Sequence, residues 1–353
     1  MKNIRILGFA EDSGPKNQIK GIFAEVGNFK NIEVELIENG DEIDSVDFTK
    51  FDAVLLGLRA LDQTNVERVI DAAYDVVKLI LVVDDIYNAG FRLSSDYAKK
   101  CSIVRAFPEA GYENAYLNHG YDVAFYAEMP IHWRDLYLQA SGQDAIELKP
   151  KGGPLVLYAG GKFSDLNNRI IQACTRGLPE SAYFTYGMHP DEKKTITESQ
   201  IKVREGLVSG VRYIDKGKFS TAQMMGIADL VIFADGSTLT IGGALAQKSM
   251  IFYYDDQVRG NLVDIGAGDS WFMADLGCMF TLEGVDQLAE AIPKLLLDEN
   301  LADFLRERQA QAFPLPEKWS QGVDVLNFIV QHVILAESPL KLAFSAYRKG
   351  GES

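Results

Sequence analysis

A glycine pair followed by a lysine, Gly160-Gly161-Lys162, stands between a short apolar run and an amphipathic segment. Glycines let the backbone approach a ligand closely, and the amides and dipole at a helix start favour an anion. Lys162 would add a positive charge, and Ser164 is the predicted N-cap of the following helix. Because the spacing matches neither a Walker loop nor Gly-x-Gly-x-x-Gly, the loop indicates either phosphate binding or a simple tight turn.

A second loop of similar design is Asp235-Gly236-Ser237-Thr238, which also follows an apolar run and precedes a predicted helix. Its hydroxyls and amides are suited to a phosphate oxygen, and helix capping alone is the alternative interpretation. Two such loops in one predicted domain favour a diphosphate over a single anion.

Three residues are candidates for proton transfer. Glu11 and Asp12 come directly after the first apolar run, where a carboxylate facing a cleft can deprotonate a hydroxyl. The alternative is that this acidic pair caps the next helix or is simply solvated. His189, in Gly187-Met188-His189-Pro190, ends another predicted strand and is the third candidate.

The sequence predicts neither a metal site nor a bound cofactor. None of the four histidines forms a pair at zinc-ligand spacing, and Asp84-Asp85 and Asp255-Asp256 lack an Asp-x-Asp spacing. The three cysteines lie far apart and are odd in number, which is typical of ordinary thiols in a reducing compartment.

Composition narrows the class of protein. With 353 residues, the chain exceeds the roughly 150 expected of one domain, so two domains are predicted. The 35 Lys plus Arg against 50 Asp plus Glu give a net charge of −15, which argues against nucleic-acid binding. No run approaches the roughly 20 apolar residues of a membrane span, and residues 4–10 are too few for a signal peptide core. We therefore expect a cytoplasmic protein.

The elements that must position these loops are short apolar runs alternating with amphipathic segments, a pattern typical of βαβ units and parallel sheets. We predict an α/β fold of two Rossmann-like doubly wound domains facing a central cleft, followed by C-terminal helices. The Gly- and Pro-rich stretch before Leu155 predicts a linker. The predicted boundaries are 1–142 for the N-terminal domain, 143–154 for the linker, 155–320 for the C-terminal domain, and 321–353 for a last helix and tail.

Part of the second half resembles a known family. The segments that carry the resemblance are Val211-Arg-Tyr213-Ile214-Asp215, Met224 to Phe233, Asp235-Gly-Ser-Thr-Leu-Thr240 and Ala244-Leu-Ala-Gln-Lys248. They are similar to the C-terminal domain of GT-B fold enzymes, in particular the N-acetylglucosaminyltransferase of peptidoglycan synthesis and the non-hydrolysing UDP-N-acetylglucosamine 2-epimerases. The similarity covers most of residues 155–310.

The resemblance implies that a nucleotide binds the C-terminal domain and an acceptor the N-terminal domain. Tyr213 and Ile214 would lie against the base, Ser237 and Thr238 near the diphosphate, and Gly160-Gly161 beneath it. These families typically carry a glutamate that binds the ribose where this chain has Gly243. Either Asp256 or Gln257 replaces that glutamate, or the donor is unusual, or donor binding has been lost.

The leading hypothesis is a metal-independent GT-B-like glycosyltransferase of carbohydrate biosynthesis. It would move a sugar from a nucleoside diphosphate such as UDP to an unknown acceptor, with Glu11 or Asp12 as the base. One alternative is a sugar-nucleotide 2-epimerase-like enzyme, and another is a non-catalytic binding or scaffold protein. The sequence gives no sign of the oligomeric state.

Overall fold

The structure is a computed structural model that describes residues 3–60, 62–83, 89–105, 110–127, 129–264 and 267–336. These residues fold into two compact units. The first comprises residues 3–132 together with 316–336, and the second comprises Trp133–Leu315. Each unit contains one parallel sheet of six strands.

The first sheet has the strand order β2-β1-β3-β4-β5-β6. Its strands are β1 (Ile4–Phe9), β2 (Ile32–Ile37), β3 (Ala53–Gly57), β4 (Leu79–Val83), β5 (Ser102–Arg105) and β6 (Ala124–Tyr126). The helices along this part of the chain are α1 (Ser13–Ala24), α2 (Thr64–Ala73), α3 (Ser95–Ala98), α4 (Ala110–His119) and α5 (Ile131–Ser141).

Both faces of the first sheet are covered, which explains why its central strands read as continuous apolar runs. Successive strand residues point to opposite faces. On β3, Val54 and Leu56 join the core that contains the buried stripe of α2, whereas Ala53 and Leu55 join the core that contains α1. The last helix of the described chain, at Gln321–Ala336, packs into this second core.

The second sheet has the strand order β12-β11-β10-β7-β8-β9. Its strands are β7 (Leu155–Ala159), β8 (Tyr183–Gly187), β9 (Arg212–Tyr213), β10 (Leu230–Phe233), β11 (Ser249–Tyr253) and β12 (Phe280–Leu282). The remaining helices are α6 (Ser164–Gly177), α7 (Glu192–Thr195), α8 (Glu198–Val208), α9 (Thr221–Ile227), α10 (Thr238–Leu245), α11 (Asp256–Asp264), α12 (Phe272–Asp275), α13 (Val285–Leu297), α14 (Glu299–Ala312) and α15 (Gln321–Ala336).

Two helices of the second unit follow the predicted ligand loops. α6 packs against both α8 and α13, whereas α10 packs against both α9 and α14. The loop after β7 leads into α6, and the loop after β10 leads into α10. Each predicted ligand loop therefore opens a helix with its own packing partners.

The predicted fold class is confirmed: two doubly wound parallel sheets are present, with helices at the C-terminal side of the chain. The predicted linker at 143–154 lies within the second compact unit. Helix α6 begins at Ser164, with Phe163 rather than Ser164 at the N-cap. No helix in the described ranges is long and apolar enough to cross a membrane.

Candidate functional site

A switch point in strand order lies between β7 and β10. The chain runs from β7 to β8 on one side of β7, whereas β10 pairs with its other side. The loops after these strands are adjacent, because a β-carbon on Gly161 would lie 3.1 Å from the Ala234 carbonyl oxygen and 3.5 Å from Asp235 Cβ. Doubly wound sheets bind ligands at such a point. The two loops that favoured a diphosphate are therefore neighbours.

The amides of Gly160 and Gly161 are already used within the protein. Gly160 N donates to Gly187 O at 2.9 Å, and Gly161 N donates to Asn167 Oδ1 at 3.0 Å. A β-carbon on Gly160 would lie 2.5 Å from the ring of Tyr186, so only glycine allows this close packing. These two amides therefore have no free N–H to donate to a diphosphate.

The start of α10 offers amides that are not used. Ser237 is the N-cap, and its Oγ accepts from Leu239 N at 3.3 Å. Within the described chain the amides of Ser237 and Thr238 make no hydrogen bond. Gly236 instead serves packing, since a β-carbon there would lie 2.8 Å from the ring of Trp271. An anion near Ser237 and Thr238 would meet free donors and the positive end of the helix dipole.

Lys162, His189 and Asp235 form an electrostatic cluster beside these loops, which we call the switch-point cluster. Asp235 is 5% exposed, and its Oδ1 accepts from Asn261 Nδ2 at 2.8 Å. Burial raises the pKa of Asp235, and the positive charge of Lys162 acts in the opposite direction. Burial also lowers the pKa of His189, which the negative charge of Asp235 opposes. The cluster therefore combines one cation with two groups whose charged forms are disfavoured.

The hydrogen bonding of His189 decides what its ring can do. Nδ1 accepts from Asp191 N at 3.1 Å, so in the neutral imidazole the proton is assigned to Nε2. Because burial lowers its pKa, the neutral form is favoured near neutral pH. His189 is therefore a hydrogen-bond donor through Nε2, suited to an anionic oxygen, rather than a proton acceptor at that atom.

The cavity at the switch point is small. It has a volume of about 40 Å³, and its walls include Gly160, His189, Asp235 and Ser237. A water molecule needs roughly 10–15 Å³ of such volume, so this cavity has room for a few waters only. Within the second unit it can accept a phosphate oxygen but not a whole nucleotide.

A larger cavity lies against α8, and we call it the α8 cavity. Its volume is about 430 Å³, and its walls include Tyr186, Arg204, Tyr213 and Lys216. Pockets for small ligands typically measure roughly 300–1,000 Å³. Tyr213, predicted to lie against a base, thus faces a cavity of ligand size, whereas Ile214 N is used in a 2.8 Å hydrogen bond to Phe184 O.

A buried ion pair supports the wall of the α8 cavity. Glu192 is fully buried, and its Oε1 lies 2.6 Å from Arg204 Nη2 while its Oε2 accepts from the hydroxyl of Tyr186. Arg204 also donates from Nε to Asn168 Oδ1 at 3.0 Å and lies over the ring of Tyr186. Because Arg204 is held from three sides, it is a fixed part of this wall.

In the first unit, Glu11 and Asp12 lie around Arg59. Glu11 accepts from Gly40 N at 3.2 Å and Asn65 Nδ2 at 3.1 Å, and its Oε2 lies 3.2 Å from Arg59 Nη1. Asp12 Oδ2 accepts from Ala60 N at 2.7 Å, whereas its Oδ1 lies 3.7 Å from Arg59 Nε. Asp12 therefore keeps one weakly engaged oxygen, and Glu11 does not.

The two proposed ribose ligands lie on α11 outside both cavities. Asp256 and Gln257 are exposed, and Gln257 Oε1 accepts from Arg169 Nη2 at 3.4 Å. Neither residue lines the switch-point cavity or the α8 cavity. The structure of this unit does not bring them to the other candidate ligand residues.

No group of three or more His, Cys, Asp or Glu residues in the described ranges is arranged to hold a metal ion. Asp84-Asp85 lies outside the described residues. Asp255 is instead engaged locally, since its Oδ1 accepts from Val258 N at 2.9 Å at the start of α11.

Comparisons with known proteins concern the fold. No family model matches the sequence, and no curated protein matches it. The UDP-bound MnaA of S. aureus is similar in structure, with a TM-score of 0.65 and 13% identity over 95% of this chain and 98% of that one. The chain has the GT-B fold.

Two further structures with this fold are similar over nearly all of both chains. The Neisseria meningitidis UDP-GlcNAc 2-epimerase bound to UDP-GlcNAc has a TM-score of 0.61 and 11% identity, and covers 94% of this chain and 100% of its own. MurG of Acinetobacter baumannii has a TM-score of 0.60 and 12% identity, and the alignment covers 93% of this chain and 99% of MurG. The resemblance stated from the sequence is thus matched at the level of the fold.

Gly243, the departure from the GT-B pattern, faces the interior. A β-carbon there would lie 2.6 Å from Met250 Sδ and 3.1 Å from Met225 Sδ. Since this side of α10 is packed with methionine side chains, no carboxylate fits at position 243. The helix therefore supplies no ribose ligand from this position.

Sequence reasoning missed three polar residues of these sites. The phosphate-binding pattern of the loop 235–238 involves hydroxyls and amides and gives the Asp235 side chain no role, and no motif includes Asn167 or Glu192. Asn167 lies in an ordinary helical segment and Glu192 in a charged run, and only the fold shows that the side chains of Asn167, Glu192 and Asp235 are buried. Only the position of Asp235, shortly after a strand of the predicted sheet, could have indicated from the sequence that its side chain belongs to the site.

Proposed function

We propose that this protein is a GT-B-type glycosyltransferase that uses a nucleoside-diphosphate sugar as donor and needs no metal. The observation that carries the proposal is the set of unused amides of Ser237 and Thr238 beside Lys162 and His189 at the switch point of the second sheet. UDP is the favoured nucleotide, because similar structures contain UDP or UDP-GlcNAc.

The chemistry assigned to the second unit is stabilisation of the leaving diphosphate. As the bond to the sugar breaks, negative charge develops on the diphosphate oxygens. Lys162 supplies a positive charge, the start of α10 supplies two amides, and His189 supplies the proton on Nε2 for a hydrogen bond. Buried Asp235 remains compatible with an anion because its neutral form is favoured by burial.

Asp12 is the proposed base that takes the proton from the acceptor hydroxyl. Its Oδ1 has only a 3.7 Å contact to Arg59, whereas the oxygens of Glu11 are engaged by an amide, Asn65 and Arg59. Arg59 and Ala60 hold the Asp12 side chain in place. We propose that the protein acts in the cytoplasm on an acceptor whose identity is open.

The test is binding and turnover of UDP and UDP-sugars. A ligand at 100 times its Kd stabilises the native state by about 2.7 kcal/mol, which thermal unfolding detects. Lys162→Ala should weaken UDP about tenfold, because one charge-assisted contact is lost. The matched control is Lys151→Ala, which removes an exposed lysine of the same unit. Stabilisation by no nucleoside diphosphate, or equal UDP affinity in Lys162→Ala, contradicts the proposal.

Two alternatives keep support from particular observations. The epimerases among the similar structures support a sugar-nucleotide 2-epimerase-like activity, which would convert UDP-GlcNAc without any acceptor. The engaged amides of Gly160 and Gly161 and the packed Gly243 support a non-catalytic binding protein. Incubation with UDP-GlcNAc alone identifies the first, and the absence of nucleotide binding identifies the second.

A further inference from the structure

The direction of one proposed phosphate donor depends on the carbonyl group of Ser237, a residue that lines the switch-point cavity. Ser237 C=O and Thr238 N–H belong to the same peptide unit, which is planar and trans. A contact that fixes the carbonyl oxygen therefore also fixes the direction of the Thr238 N–H. The groups that hold Ser237 O thus control where this free amide points.

Thr240 holds Ser237 O with two hydrogen bonds. Its backbone N donates to that oxygen at 3.0 Å, and its Oγ1 donates to the same oxygen at 2.7 Å. The backbone bond is available to any residue except proline, whereas the second bond requires a hydroxyl at this position. Because Thr240 is fully buried, bulk water does not compete for that hydroxyl.

Trp271 fixes the hydroxyl of Thr240 in turn. Its Nε1 donates to Thr240 Oγ1 at 3.0 Å, from a segment 31 positions further along the chain. Since an indole N–H can only donate, Thr240 Oγ1 accepts this bond, and its single hydrogen is left for Ser237 O. We call the path from Trp271 Nε1 through Thr240 Oγ1 to Ser237 O the Trp271 relay.

The ring of Trp271 also holds the residue that precedes Ser237. A β-carbon on Gly236 would lie 2.8 Å from Trp271 Cε3 and 2.7 Å from Leu262 Cδ2, so both side chains lie directly against the backbone there. Trp271 and Leu262 are both buried, which makes this contact part of the core. Trp271 therefore holds the loop before Ser237 with its ring and after Ser237 with its N–H.

We propose that Trp271 and Thr240 are positioning residues that orient the Thr238 amide toward the diphosphate of the donor. Both act through the Ser237–Thr238 peptide and neither contacts the ligand itself. Hydrogen bonds in a chain polarise one another, so the bonds that Ser237 O accepts also make Thr238 N–H a stronger donor. The inference rests on the proposed function, which assigns the diphosphate to this amide.

The experiment is isothermal titration of the full chain with UDP and with inorganic pyrophosphate, at a temperature where circular dichroism shows each variant to be folded. Thr240→Val keeps the shape of the side chain and removes the hydroxyl. It should weaken both ligands by about three- to tenfold, the value of roughly one hydrogen bond. Thr240→Ser keeps the hydroxyl, so its affinities should stay within about twofold of the wild-type values.

Thr185→Val is the matched control. Thr185 is fully buried on β8 of the same unit, and its Oγ1 has no hydrogen-bond partner in the described chain. The same substitution there should leave both affinities unchanged. If Thr240→Val does not fold, Trp271→Phe takes its place, because it removes the first donor of the relay and keeps a ring. It should weaken UDP by about two- to threefold.

A second measurement needs no ligand. In protein labelled with 15N-threonine, the amide signal of Thr238 is identified by its loss in Thr238→Ser. This signal should shift in Thr240→Val, or in Trp271→Phe where that variant is used, and should keep its position in Thr185→Val. A merely structural hydroxyl would lower Tm in Thr240→Val without changing the affinity of the folded protein for UDP.

The outcomes separate this inference from the proposed function. The inference alone is overturned if UDP binds the wild type and Thr240→Val equally, if Thr240→Ser or Thr185→Val loses as much affinity as Thr240→Val, or if the Thr238 signal does not shift. Equal UDP affinity of the wild type and Trp271→Phe overturns it in the same way. If neither UDP nor pyrophosphate binds the wild type, the proposed function fails and the inference fails with it.

Discussion

Replacing Glu192 by alanine tests how the wall of the α8 cavity is held. Glu192 is fully buried between Arg204 and the hydroxyl of Tyr186, with Arg204 Nη2 at 2.6 Å. Glu192→Ala leaves the Arg204 charge buried without its counter-ion and Tyr186 without its acceptor. Breaking a buried pair by removing one partner costs about 3–5 kcal/mol.

The magnitude can be measured as a change in thermal stability. In a domain of 150–250 residues, a loss of 1 kcal/mol in the free energy of unfolding lowers Tm by about 2–4 °C. Glu192→Ala should therefore lower the Tm of the second unit by roughly 6–20 °C. Urea unfolding gives the free energy of unfolding directly, provided the m-value is unchanged. The control pair is Glu198 and Lys202 on α8, 83% and 70% exposed, whose removal should produce no measurable change.

A compensating variant separates charge burial from loss of packing. Tyr186→Phe, Glu192→Leu and Arg204→Met together replace the polar cluster by apolar groups, which is often neutral or stabilising for a buried pair. We expect this triple variant to regain most of the stability that Glu192→Ala loses. If Glu192→Ala costs less than about 1 kcal/mol, or if the triple variant is as unstable as the single one, the reasoning is wrong.

Three further predictions concern the loops and α10. Gly160→Ala should lower the free energy of unfolding by about 1–3 kcal/mol, because its β-carbon would overlap the Tyr186 ring, whereas Gly152→Ala has open space. Below pH 6.5 the unfolded wild-type protein binds a proton at His189 more readily than the folded protein, so its free energy of unfolding should fall with the pH. His189→Gln should make this fall smaller, because glutamine binds no proton. Gly243→Glu should lower Tm without strengthening UDP binding, because position 243 faces buried methionines. Thermal unfolding across pH and UDP titration measure these effects.

Each of these predictions has a result that contradicts it. Equal stability of the Gly160 and Gly152 variants would show that the loop relaxes without cost. The His189 prediction is wrong if the wild-type free energy of unfolding rises as the pH falls from 7 to 5 and His189→Gln abolishes that rise. The pKa of His189 would then be raised by folding instead of lowered. A folded Gly243→Glu variant with tighter UDP binding would show that α10 can present a carboxylate to the ribose.

Strands buried on both faces were the most predictable elements. The apolar runs Leu79–Val83 and Leu230–Phe233 each predict a strand, and β4 and β10 begin and end at these residues. Every residue of both strands is buried, and no polar residue interrupts them. β6 and β12 were missed, since each has only three residues and lies at a sheet edge. The apolar spacing of residues 66–78 predicts a helix over Val66–Lys78, whereas α2 ends at Ala73 and Val76 beyond it is 45% exposed.

The candidate site was predictable in position but not in detail. The order of strands and loops was enough to bring residues 160–162 and 235–238 to one edge of the second sheet. Which amides remain free was not predictable, because Gly161 is satisfied by Asn167, a residue six positions further along the chain. The role of Glu192 was hidden for a similar reason, since Asp191-Glu192-Lys193-Lys194 reads as a solvated helix turn.

Helix α15 completes the core of the first unit although it follows the second unit in the chain. Val325, Leu326 and Ile329 are fully buried against residues of β1 and α1. During translation, the ribosome must therefore synthesise Trp133–Leu315 before this hydrophobic surface is covered. At roughly 5–20 residues per second that interval lasts about 10–40 s, during which the uncovered apolar surface of the nascent N-terminal part favours aggregation.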